Sequence, residues 1–152
     1  MTITPGITPF LWFNNNAEEA INHYIAIFGD SRIINATRRG ELLVHATFQL
    51  AGQQFMALNG GPAFQFTEAI SLHVNCETQD EVDSLWEKLS AGGSEGRCGW
   101  LKDKYGLSWQ IIPTALGQLL GDPDPQKAGR AMQAMLKMGK IDIRKLREAA
   151  GQ

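Results

Sequence analysis

The chain has 152 residues, 43% of them hydrophobic and 20% charged, which suits one globular domain, or two small fused halves, with a core of its own. Its formal net charge of −2 argues against a nucleic-acid binder, whose phosphate contacts need clustered Lys and Arg. No stretch approaches the roughly 20 apolar residues of a membrane span, and the N-terminus "MTITPGITPFLWF" reads as no secretory leader, so a soluble, cytoplasmic protein is expected.

In chain order, "TPFLWFN" reads as a strand, and "NAEEAINHYIAIF" as a helix with Asn16 at its N-cap and Ala17, Ala20, Ile21, Tyr24, Ile25 and Phe28 on one stripe. Gly29-Asp30 ends that helix. Three strand-like runs follow, "RIINATR", "LLVHATFQL" and "QFMAL", separated by the turn signals Arg39-Gly40 and Ala51-Gly52.

The same order then repeats. "AISLHVNC" is a strand with clean alternation, Ile70, Leu72, Val74 and Cys76 on one face and Ala69, Ser71, His73 and Asn75 on the other. "TQDEVDSLWEKLSAGG" is a helix opened by the capping box of Thr78 and Glu81, striped by Val82, Leu85, Trp86 and Leu89, and stopped by Gly92-Gly93. "EGRCGWLKD" and "LSWQIIP" complete the second set of strands, joined at Tyr105-Gly106. The two candidate N-caps, Asn16 and Thr78, lie 62 residues apart. A single repeat of this length is an internal duplication, since a solenoid needs three or more shorter units. The expected fold class is α+β: two tandem βαβββ modules, about 5–60 and 65–115, forming a curved mixed sheet around a cavity, with a helical C-terminal extension over 116–152.

The extension carries 7 basic against 4 acidic side chains, whereas residues 1–121 carry 7 against 12. "DPQKAGRAMQAMLKM" sets Met132, Met135 and Leu136 on one helical face, and "IDIRKLREA" restarts behind Asp142 as N-cap. Methionine surfaces adapt to irregular partners, so this segment either covers its own chain or packs on a second subunit. Cys76 and Cys98 form no CxxC pair and are too few for a disulfide framework; both read as reduced thiols.

With "LWFNNNAEEAINHYIAIFGDSRI", "FMALNGGPAFQF" and "CGWLKDKYGLSWQIIP" in that order, the chain resembles the vicinal oxygen chelate superfamily of glyoxalase and bleomycin-resistance proteins. More narrowly, it is similar to the PhnB-like branch, whose members often carry a 3-demethylubiquinone-9 3-methyltransferase label. The resemblance implies a divalent-metal site with one ligand from the first and last strand of each half, usually His, Glu or Gln. Carried over by position, those ligands fall at Pro9, about Ala57, Ala69 and Gln110, and only Gln110 has a donor side chain. The resemblance therefore implies no metal and no resident cofactor here.

Gln110 then faces the cavity as a hydrogen-bonding amide, or pairs with backbone inside the sheet. With Gln110 inward, alternation places Ser108 beside it, turns Trp109 to the helix layer, and puts Ser71 and His73 inside as well. The same carry-over sets Phe13, Phe55 and Asn59 inside from the first module. Trp100 is either an aromatic wall or core, and His73 either an acid, base or ligand or a structural imidazole. Phe64 and Phe66 either lid the site or plug the gap between the halves. His45 has uncertain parity, and His23 is expected in solvent.

The expected function is metal-independent binding of a small apolar or aromatic ligand at Phe13, Phe55, Asn59, Ser71, His73, Trp100, Ser108 and Gln110, in a homodimer, with no nucleic-acid or membrane partner. The alternatives are a metal-dependent lyase, isomerase or dioxygenase of the same superfamily, and a methyltransferase. The last is disfavoured because no Gly-rich turn between a parallel strand and a helix is present.

Overall fold

In the computed structural model, which describes residues 6–152, the chain divides into two compact units, one ending at Phe66 and one beginning at Thr67. The expected domain start at residue 5 and the N-terminal reading over residues 1–5 lie outside the described residues.

The first unit runs β1 (Phe10–Phe13), α1 (Ala17–Ile27), β2 (Arg32–Arg39), β3 (Leu42–Leu50) and β4 (Gln53–Asn59). Its four-stranded sheet has the order β1-β4-β3-β2, with β1 parallel to β4 and the other pairs antiparallel. The predicted stripe holds: Ala17, Ala20, Ile21 and Tyr24 are buried as α1 packs on β3 and β4. Each of the larger side chains contributes about 1.5–3 kcal/mol by leaving water. The sheet answers with Leu11, Phe13, Ala46, Phe48, Leu50, Phe55 and Ala57, all buried. Asn16 stands at the N-cap, yet its side chain makes no capping bond. Asn59, 42 residues away, does that work, its Oδ1 accepting from Ala17 N at 2.9 Å while its Nδ2 donates to Leu43 O at 3.1 Å. All eight residues of β2 are exposed.

The second unit runs β5 (Leu72–Cys76), α2 (Gln79–Ser90), β6 (Ser94–Glu95), β7 (Trp100–Lys102), β8 (Ser108–Pro113), α3 (Thr114–Leu120), α4 (Pro125–Met135) and α5 (Ile143–Ala150). The order β5-β8-β7-β6, again with its first two strands parallel, repeats the first unit's plan. The protein is thus α+β with tandem βαβββ modules, each building its own four-stranded mixed sheet. The capping box at α2 is complete, Thr78 Oγ1 accepting from Glu81 N and Glu81 Oε2 accepting from Thr78 N. The run "EGRCGWLKD" is not one strand, because Cys98 at φ +57° and Gly99 at φ +83° break it between β6 and β7. A Cβ on Gly99 would stand 2.6 Å from Ile112 Cδ1 and 2.9 Å from Ile111 O, so that turn requires glycine.

The C-terminal helices pack on this same unit. Leu116, Leu119, Ala131, Ile141, Leu146 and Ala150 form one buried cluster, with Met135 and Met138 against it. Backbone bonds from Cys98 N to Met138 O and from Gly99 N to Gly139 O, both 2.8 Å, tie the segment down. Gln79 completes the tie, donating to Ile141 O and accepting from Ile143 N. Of the three residues expected on one face of α4, Met135 turns inward while Met132 and Leu136 stay exposed. Asp142 caps α5 as expected, its Oδ1 accepting from Lys145 N.

Candidate functional site

In the second unit the alternation of β5 and β8 sorts side chains cleanly. Register pairs Leu72 with Trp109 and Val74 with Ile111, and these share a face with Cys76, Leu101 and Pro113 above the buried α2 residues Val82, Trp86 and Leu89. Trp109 and Ile111 are buried on that side, as the spacing predicted. The reverse face carries His73, Gln110 and Trp100, which are consecutive cross-strand neighbours: His73 pairs with Gln110, and Gln110 with Trp100.

Gln110 is half-buried, and its Nε2 donates to Ser71 Oγ at 2.8 Å. The amide therefore pairs neither with backbone nor with a charged group. Its Oε1 is left as an acceptor, and Ser71 keeps its own hydroxyl proton to donate. His73 is exposed, and Trp100 is half-buried beside the amide. Ser108 belongs to the same parity but is only 1% exposed, and its Oγ has no hydrogen-bond partner among the described residues. Lys102, next to Trp100 on this face, is taken up by an ion pair with Glu68, whose carboxyl the Lys102 contact holds below its ordinary value. The face thus offers an amide acceptor, a hydroxyl, an imidazole and an indole without an uncompensated lysine.

Two features here escaped the sequence reading. Asp103, only 3% exposed, accepts from Tyr105 N and Leu107 N with Oδ1, at 2.9 and 3.0 Å, and from Trp109 Nε1 with Oδ2 at 2.8 Å. It pins Trp109 to the helix side and so sets the parity that turns Gln110 to the other. At the far end of the open face, Asn75 donates to Thr114 Oγ1 at 2.8 Å and to Glu77 Oε1 at 3.2 Å, and Thr114 donates to Glu77 at 2.9 Å. The "Asp103-Lys-Tyr-Gly" turn was visible as a turn, but nothing in the sequence marked its carboxylate as the indole's partner.

The first unit corrects the expected parity. Phe13 and Phe55, 2% and 7% exposed, belong to the helix-covered face with Leu11 and Ala57. Asn59 lies on that face too, bridging Ala17 N and Leu43 O. These three hold α1 to its sheet and do not face the open side. The physical reason is that "FLWF" and "QQFMALN" are apolar at both parities, so alternation carried no signal and a one-residue offset exchanged the faces. The open side instead presents Phe10, Trp12, Met56 and Leu58, with His45 and Thr47 from β3. His45 Nδ1 is buried there without a partner among the described residues. Trp12 donates from Nε1 to Gly61 O at 2.9 Å, and Phe64 stands edge-on to it at 5.0 Å with 65% of its surface exposed. Phe66 packs instead on Phe13, 5.3 Å away. His23, expected in solvent, is half-buried beside the Tyr24 ring.

The donor set does not fit the divalent metal that the superfamily resemblance implies. On the open face of the first unit, the positions where β1 meets β4 are Phe10 with Met56 and Trp12 with Leu58, none of which carries an oxygen or imidazole ligand. Among the described residues no group of three or more His, Cys, Asp or Glu is placed to hold an ion.

Residues 5–112 match the family described as 3-demethylubiquinone-9 3-methyltransferase. The chain belongs to that family. The family member described here is similar to a PhnB protein from Bacillus cereus, at 39% identity and a TM-score of 0.68, over 71% of this chain and 98% of that one. A protein from Pseudomonas aeruginosa shares the fold at 22% identity and a TM-score of 0.60, over 72% and 98% of the two chains. So does the fosfomycin resistance protein FosX from Listeria monocytogenes, solved with Mn(II) and 1S,2S-dihydroxypropylphosphonic acid, at 15% identity and a TM-score of 0.52, over 71% and 90%. A comparison with curated proteins found no significant match. Family and fold together set the chain beside the PhnB protein. No helix among the described residues is long and apolar enough to cross a membrane.

Proposed function

We propose that this family member is a metal-independent small-molecule-binding protein whose ligand is held on the open face of the second unit. The observation that carries the reading is the Gln110–Ser71 pair: an amide locked by one bond, with its carbonyl oxygen free, between an exposed imidazole and an indole. Such a pair reads one oxygen-bearing group, Gln110 Oε1 accepting from a ligand O–H or N–H while the Ser71 hydroxyl donates to a ligand carbonyl. Trp100 supplies a flat apolar wall, so a small, apolar aromatic carbonyl or phenol is the matching ligand class. Neither a bound metal nor a cofactor enters this scheme.

The methyltransferase description has less support from this chain's residues. The turns that lead from β1 and β5 into their helices are Asn14-Asn15-Asn16 and Glu77-Thr78, without the glycines that let a backbone approach a nucleotide cofactor. The binder is proposed to act in the cytoplasm, in keeping with its two unpaired thiols, and as a homodimer, in keeping with the fully exposed edge strand β2.

The test is a thermal-shift screen of planar aromatic carbonyl compounds and phenols, followed by titration with and without a chelator. Hits are expected to survive the chelator, and Gln110→Leu to weaken them about tenfold, the cost of one polar contact. Binding that vanishes on chelation, or that ignores Gln110→Leu, overturns the reading.

A further inference from the structure

The first unit contains a cavity of about 320 Å³ lined by Asn15, Arg39, Leu42, Leu43, Val44 and Asn59, separate from the face proposed above. Its shape comes from a bulge. Along β2 and β3, Thr37 pairs with His45 but Arg38 pairs with Leu43, so Val44 is an extra residue without a partner across the ladder. Bulges of this kind re-aim side chains. Here they leave two branched apolar groups in water, Leu42 at 74% and Val44 at 38% exposure.

Beside them stands a cation with nothing to neutralise it. Arg38 is engaged by Glu18 and by the carbonyl of Glu41. Arg39 makes no hydrogen bond or ion pair among the described residues, and neither does the Asn15 amide. Asn59 spends one Nδ2 hydrogen on Leu43 O, which leaves the second. An unpaired guanidinium, two amides and an apolar wall thus converge on one small space.

We propose that this cavity is a binding site for a small aliphatic carboxylate. The guanidinium fork matches the two carboxylate oxygens, an amide from Asn15 or Asn59 adds a donor, and a short branched chain covers Leu42 and Val44. The volume is at the low end for small-molecule sites, so the ligand is a short acid and not a long-chain fatty acid. A phosphate is a poorer match, because Leu42 and Val44 border the charge and would lie against its hydrated oxygens.

The experiment is amide-resolved NMR on the full chain, titrated with isocaproate, acetate and isocaproamide. Isocaproate is expected to bind in the millimolar range, with saturable shifts confined to Asn15, Arg39, Leu42–Val44 and the Asn59 side chain, and both controls about tenfold weaker or more. Arg39→Gln should erase the preference for acid over amide, and Leu42→Asn the preference for isocaproate over acetate. Both positions are exposed, so the rest of each spectrum should match the wild type. Acid and amide binding alike in the wild type, shifts that do not saturate, or a preference that survives Arg39→Gln would each overturn the proposal. So would an absence of shifts, the result expected if a second copy of the chain covers Leu42 and Val44.

Discussion

Replacing Asp103 by Asn tests the arrangement that turns Gln110 to the open face. The side chain changes by one heavy atom, yet its two oxygens serve opposite sides: Oδ1 takes the Tyr105 and Leu107 amides, Oδ2 the Trp109 indole. An asparagine can keep only one side. In the cheaper orientation its oxygen retains the two backbone donors and its amide group faces the indole N–H, donor against donor. Trp109 is 2% exposed, so water cannot rescue that nitrogen. The unpaired N–H costs about 1–3 kcal/mol, and replacing a charged acceptor by a neutral one costs about 1 kcal/mol for each of the other two bonds. The sum, about 3–5 kcal/mol, is a large part of a typical folding free energy of about 5–15 kcal/mol. Urea unfolding followed by near-ultraviolet circular dichroism should show the loss directly. In a Trp109→Phe background the same Asp103→Asn change should cost about 2 kcal/mol less, because the clash is gone. A loss under about 0.5 kcal/mol, or equal losses in both backgrounds, would refute the role given to Asp103.

Asn59→Ala should cost about 2–3 kcal/mol and speed hydrogen exchange at Ala17, since two backbone groups lose their partner; Asn59→Asp, which keeps the acceptor and puts a negative charge at the start of α1, should cost less. Unchanged exchange at Ala17 in Asn59→Ala would return that residue to its sequence-based role as a ligand contact. Burial, with Glu81 and Glu77 nearby, pushes the Cys76 thiol up to about 11 from 9.0. The folded chain therefore holds this proton longer than the unfolded one, so the associated stability is intact below pH 9 and is lost as pH rises toward 11. A Cys76→Ala variant should lose less stability than the wild type across that interval, and iodoacetamide at neutral pH should label Cys98 in the native chain well before Cys76. Equal labelling rates would contradict the buried, neutral thiol.

What the sequence disclosed depended on how polar residues were spaced. Helices α1, α2, α4 and α5 announced themselves through stripes and caps, and Thr78-Glu81 and Asp142 cap as read. Helix α3 (Thr114–Leu120) did not, because "TALGQLL" has no capping side chain and only two turns of apolar spacing. In β5 and β8 the sequences Ser71-Leu-His-Val-Asn and Ser108-Trp-Gln-Ile alternate polar with apolar, and the open face was legible residue by residue. In β1 and β4 both parities are apolar, and the one residue able to break the tie was Asn59, whose partner Ala17 lies 42 residues away. Contacts at that separation have no signature in a local window.

In the first unit the reversed parity moves the positions carried over from the superfamily resemblance, Pro9 and Ala57, off the open face. In the second unit the β5 residue opposite Gln110 is His73, a competent ligand, where the carried-over Ala69 is not. In the first unit the shift exchanges Pro9 and Ala57 for Phe10, Trp12, Met56 and Leu58. The open face of the second unit thus holds the His73 imidazole, and that of the first a thioether and two aromatic rings beside the His45 imidazole. A catalytic divalent site asks for about three protein ligands of oxygen or imidazole type. Neither open face gathers that many: the second unit has one imidazole and one amide, with that amide's nitrogen already committed to Ser71, and the first has the His45 imidazole. The same count makes His73 the informative position: if its imidazole works with Gln110 on an organic ligand, His73→Gln should weaken that ligand equally in the presence and absence of chelator, whereas a difference between the two conditions would mean that an ion shares the site.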